Sequence, residues 1–124
     1  MSIPVKIEDL ARTLEDFDLA YLLTVGERGI KVVCVEVEPD GARLRIPTSS
    51  KGTAHNLAQN ASVTLMCPPR EARGFTLLVD GTAAVDGDGF RVTPSGAVLH
   101  RPASHADTPV GSDGCGHDCQ AVGS

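Results

Sequence analysis

The sequence predicts a mainly β protein: a small antiparallel β-barrel of about six strands with short helices. Three observations carry that expectation. Runs rich in Val, Leu, Ile and Thr recur along the chain, from "AYLLTV" at 20–25 to "FRVTPSGAVLH" at 90–100. Gly-containing turns, "GERG", "PDG" and "DGDG", separate them, where glycine supplies backbone angles that other residues resist. The spacing between runs is too short for the crossover helices of a doubly wound sheet.

Each element has its own local reason. Ile7, Leu10, Ala11, Leu14 and Phe17 fall at helical spacing with acids opposite, so residues 6–17 read as one amphipathic helix packed as a lid on the sheet. The segment "LAYLLTVGERGIKVVCVEVEPDGARLRIP" reads as a three-stranded meander. In its middle run Val33, Val35 and Val37 share one face, and Val32, Cys34 and Glu36 the other. A hydroxyl-rich turn, "TSSKGT", leads into a short helix through "HNLAQN" that Asn60 ends. The strand "SVTLMCP", the loop "PPREARG", and two long extended runs about the "DGDG" turn complete the barrel.

Composition bounds the function. At 124 residues, 41% of them hydrophobic, the chain suits one domain with one core. Its 11 Lys and Arg against 16 Asp and Glu give a net charge of −5, and no basic stripe appears, which excludes a sequence-independent nucleic-acid surface. No apolar run approaches the roughly 18 residues of a membrane span, and "MSIPVKIEDLARTLEDF" lacks the apolar core of a signal peptide. A cytoplasmic protein is expected. Cys34 and Cys67 lie in apolar runs, where a thiol usually behaves as a small buried hydrophobe.

From Pro102 onward the sequence becomes "PASHADTPVGSDGCGHDCQAVGS", with almost no large apolar residue. Such a segment buries too little area for a core of its own. The expected organisation is a barrel domain over 1–103 and a Gly/Pro/Ser-rich tail over 104–124. Within the tail, Cys115, His117 and Cys119 are soft metal ligands, but Cys-x-His-x-Cys is not a standard zinc spacing, and a closed zinc site needs four ligands. They are weak metal candidates, and a plain tail with free or locally bridged thiols is the expectation.

The chemistry concentrates between Arg45 and Thr53. Arg45, Thr48, Ser49, Ser50 and Lys51 bring a guanidinium, hydroxyls, free amides and an ammonium to a strand end and a helix start, the donor set an anion such as phosphate needs. The alternative is an ordinary helix cap, in which one hydroxyl satisfies a first-turn amide. His55 is expected on the exposed side of the helix. His100, ending the last strand, reads as a surface residue. As function it could donate a proton or ligate a metal. No residue stands out as a catalytic acid or base.

"AYLLTVGERG", "NLAQNASVTL" and "DGTAAV", in this order, give the chain a distributed pattern over roughly Leu10 to Arg101. That pattern resembles the pyridoxamine 5′-phosphate oxidase-like proteins. The resemblance implies a six-stranded split β-barrel of the FMN-binding type, a homodimer, and two equivalent cofactor sites at the dimer interface. The cofactor it implies is FMN or the deazaflavin F420, with haem in some members and none known in others. Carried onto this chain, the phosphate positions are Arg45, Thr48 to Ser50, and Thr53, which stands where the family has a Lys. Lys51 lies two residues earlier and has the reach to substitute. With no Trp, one Tyr and three Phe, the ring would rest on aliphatic contacts from Val32 to Val35, Met66 and Pro68. The function implied is hydride transfer between a flavin or deazaflavin and a small organic substrate. Two alternatives stand beside it: a split-barrel binding protein that holds a flavin, haem or metabolite without turnover, and a metal- or redox-responsive protein acting through the tail.

Overall fold

Among the described residues, eight strands pair antiparallel throughout. They are β1 Ser2–Val5, β2 Ala20–Gly26, β3 Gly29–Val35, β4 Glu38–Asp40, β5 Arg43–Ile46, β6 Ser62–Cys67, β7 Thr76–Asp86 and β8 Gly89–His100. Two α-helices of the described residues join them, α1 Leu10–Leu14 and α2 Lys51–Gln59. This computed structural model describes residues 1–102, so Cys115, His117, Cys119 and the expected boundary at 103 lie outside the described residues.

The order along the sheet is β3-β2-β6-β7-β8-β5-β4, with β1 added on β8. Period-2 burial builds the core. Leu22, Leu44, Ile46, Leu65, Leu77, Val79 and Val92 alternate inward on their strands, and Phe90 closes the centre. Each contributes about 1.5–3 kcal/mol on burial. Val33, Val35 and Val37 do face inward together, while Val32, Cys34 and Glu36 face out.

Three expectations are corrected. The barrel has eight strands, not about six, because β1 and β4 are short, Pro-containing runs whose pairing is not written locally. Ser2 pairs with His100, and Met1 and Arg101 exchange backbone hydrogen bonds of 3.0 and 3.1 Å, across the whole length of the described chain. The helix expected over 6–17 is a 3-10 turn at Ile7–Asp9 followed by α1 and a further turn. Phe17 still packs against the core from beyond the helix end. Finally, the three-stranded meander does not form. The "PDG" turn makes a hairpin, Asp40 opposite Arg43, but between β4 and β5, and β3 lies at the other end of the sheet order.

The two helices sit at opposite ends of β2. Leu14 of α1 lines a small cleft with Ala20 at the start of β2, and α2 packs against β2 at its other end. Asn56 Nδ2 donates to Thr24 Oγ1 at 3.1 Å inside the core, and the Glu27 amide donates to Gln59 Oε1 at 2.9 Å. Gly26 permits this approach, since a Cβ there would overlap Asn56 Oδ1.

Candidate functional site

The β2–β3 hairpin tip and the first turns of α2 enclose a cleft of about 480 Å³, lined among others by Arg28, Lys31, Lys51, Gly52 and His55. Lys31 shares the inward parity of Val33 and Val35, but at the rim of the barrel its stem runs out beside α2. Gly52 makes room for it. A Cβ on Gly52 would overlap Lys31 Cε and stand 2.9 Å from Nζ. An ammonium is thereby laid across the first turn of a helix whose dipole is already positive there.

The helix start is capped as well as charged. Ser50 Oγ accepts from the Thr53 amide at 3.2 Å, and the Ser50 carbonyl accepts from the Ala54 amide at 3.0 Å. Helix geometry leaves the amides of Lys51 and Gly52 without an intrahelical acceptor. Those two N–H groups, Lys31, Lys51 and Arg28 concentrate positive charge at one point of a chain whose net charge is −5. On the rim, His55 Nε2 lies 3.3 Å from Glu27 Oε1. The arrangement can hold an anion through charge-assisted hydrogen bonds.

The structure divides the residues that the sequence singled out. Lys51 lines the cleft, and Ser49 and Ser50 adjoin it at the helix start, with Ser50 committed to its cap. Thr48 Oγ1 accepts from the Glu36 amide at 3.1 Å, tying the turn to the end of β3. Thr53 is fully buried, and its Oγ1 has no partner among the described residues. Arg45 stands elsewhere, on the outer face opposite Arg91, with Asp86 at 3.8 Å and Glu38 at 3.9 Å. His100 is at the far end of β8, its Nδ1 3.0 Å from Ser2 Oγ. Arg28 and Lys31 were missed, although a lysine on the inward parity of a strand was a readable signal.

The cysteines separate. Cys67 is fully buried, as expected, and loss of hydration pushes its thiol from 9.0 up to about 11. Cys34 is exposed, against expectation, because β3 is an edge strand whose even positions face out. The same outer face leaves Val25, Ile30 and Val32 exposed at 42%, 68% and 52%. No helix among the described residues is long and apolar enough to cross a membrane.

No family model matches the chain. Two mycobacterial proteins, the uncharacterised Mb0449c of Mycobacterium bovis and MT0457 of Mycobacterium tuberculosis, are each 39% identical over 133 residues. The match spans 93% of this chain and 92% of theirs. Among solved structures, a candidate pyridoxamine 5′-phosphate oxidase from Listeria innocua superposes with TM-score 0.64 at 14% identity, over 76% of this chain and 98% of its own. The FAD binding protein from Mycobacterium smegmatis gives 0.58 at 15% identity, over 82% and 100%. An F420 reductase gives 0.51 at 17% identity, over 80% and 96%. The chain belongs to one family with the two mycobacterial proteins, and its fold is the pyridoxamine 5′-phosphate oxidase-like split barrel. At such identities the likeness to the solved structures is one of fold. The cleft beside α2 is a feature of this split barrel's own side chains.

Proposed function

We propose that this split barrel binds a phosphate-bearing flavin-type cofactor, FMN, FAD or F420, and transfers a hydride between it and a small organic substrate. The observation that carries the reading is the cleft where Lys31, Lys51 and Arg28 gather about the start of α2. The names of two fold neighbours, an FAD binding protein and an F420 reductase, support the same class of ligand. The residues fit the group. Lys31 and Lys51 would neutralise a phosphate, the first-turn amides would orient it, and Gly52 leaves the room in which the Lys31 stem lies beside them. A bound flavin or deazaflavin supplies the hydride chemistry, and the protein's part is to bind, orient and exclude water.

The reading includes a homodimer. Val25, Ile30 and Val32 form an exposed apolar strip along the hairpin and the edge strand, beside the basic cleft. Covered by a second copy, that strip would wall a ring-shaped ligand with aliphatic side chains. Arg45 remains a candidate contact only through such a partner, since it lies away from the cleft that Lys51 lines.

A second reading, a binding protein without turnover, is favoured by the lining of the cleft, which contains neither a phenyl or indole ring nor a carboxylate. The two are separated by loading the protein with cofactor, reducing it, and following reoxidation by absorbance against a panel of small quinones, enones and nitro compounds. Substrate-dependent reoxidation faster than that of free cofactor supports the oxidoreductase. Tight binding with no acceleration supports the carrier.

A further inference from the structure

Phe17 and Phe75, two of the three phenylalanines in the chain, both line a second cleft. Its volume is about 340 Å³, with Pro69 and Leu99 completing the apolar walls and Asp16 and Glu71 at its rim. It lies beside α1, at the far end of β2 from the basic cleft. Seven residues of strand, at about 3.3 Å each, put the two roughly 20 Å apart.

Two arginines hold this second cleft in shape. Arg70 Nε donates to Asp18 Oδ1 and its Nη2 to the Glu15 carbonyl, both at 2.9 Å, so the 68–75 loop is pinned to the turn after α1. Arg101 lies 4.3 Å from the centroid of Phe75 and donates through Nη1 to the Arg73 carbonyl at 3.3 Å, fixing the loop from the other side. The Gly74 amide donates to the Glu71 carbonyl at 3.0 Å and sets the turn between them. A cleft whose walls are fixed before a ligand arrives loses little entropy on binding.

Charge sets the class of ligand. Arg70, the cation in the lining, is committed to Asp18, and Arg101, outside the lining, is stacked on Phe75, while Asp16 and Glu71 line the cleft as exposed acids. We infer that this cleft binds a small amine: an aromatic or branched aliphatic body between Phe17 and Phe75, and an ammonium facing Asp16 and Glu71. Offset ring contacts and the ammonium–carboxylate attraction then act on opposite ends of one small molecule. The inference uses neither the cofactor nor its cleft, so it stands apart from the proposed hydride transfer.

The test uses the full chain, 2-phenylethylamine as probe, and amide chemical shifts as readout. Phenylacetate, with the same ring and the opposite charge, is the control. The expected result is saturable shifts at Phe17, Glu71, Phe75 and Leu99 with the amine at millimolar concentration, and far weaker shifts with phenylacetate. Asp16→Asn and Glu71→Gln should each weaken the amine about threefold, the scale of an exposed ion pair. These variants decide the question, because Phe75→Ala would also remove the platform under Arg101. Equal binding of phenylacetate, shifts mapping elsewhere, unchanged affinity in both charge variants, or no saturable shift would each overturn the inference.

Discussion

Cys67 shows at the scale of one residue how burial becomes chemistry. Its thiol is fully buried at the end of β6, and desolvation raises it from 9.0 to about 11. Between those values the folded chain keeps a proton that the unfolded chain has released. The contribution to stability is therefore whole below pH 9 and is lost as pH climbs toward 11. At about 1.4 kcal/mol per unit, the loss is on the order of 2–3 kcal/mol. Urea midpoints across this range should fall more steeply for the wild type than for Cys67→Val; parallel curves would show that burial does not hold the proton. Such a residue was legible as a small hydrophobe in an apolar run. Cys34 was not, because edge or interior position is a property of the sheet order and not of the run itself.

At the scale of elements, the start of α2 combines a cap and a charge site that the sequence could present only as alternatives. Ser50 makes the cap, by its bond to the Thr53 amide, and Lys51 with Lys31 makes the charge. Ser50→Ala should therefore cost about 1 kcal/mol of stability, read from denaturant midpoints, while cofactor affinity changes less than twofold. A large loss of affinity with unchanged stability would move Ser50 from the cap to the ligand. Hairpin turns were readable from Gly26–Gly29, Asp86–Gly89 and the "PDG" turn, since each depends on local backbone chemistry. Which strands those turns join was less so. β4 has only three residues, and its hairpin reads locally as a continuation of β3, yet it pairs at the opposite end of the sheet order. β1 was missed for a related reason: its partner lies at the far end of the described chain, and Pro4 has no N–H to donate to a ladder.

At the scale of the whole molecule, the sheet path ends in two open edges, and the β3 edge carries the apolar strip of Val25, Ile30 and Val32. A monomer would leave that strip in water, so light scattering at micromolar concentration should give a dimer, and Val32→Lys should shift it toward monomer. A wild-type monomer would remove the ring-binding wall from the proposal. The barrel class was legible from strand alternation, while the basic cleft was legible only in half: Lys51 announced itself beside a helix start, but Lys31 and Arg28 join it through a hairpin that folds back from about 20 residues upstream. The most direct test of the account is a titration of FMN, FAD and F420, followed by absorbance and fluorescence, into the wild type, Lys31→Ala and Lys51→Ala. One charge-assisted hydrogen bond is worth about 1.5–3 kcal/mol, so saturable binding of at least one cofactor should weaken roughly ten- to a hundredfold in each variant with stability nearly unchanged. No binding of any of the three, or affinity indifferent to both lysines, would contradict it.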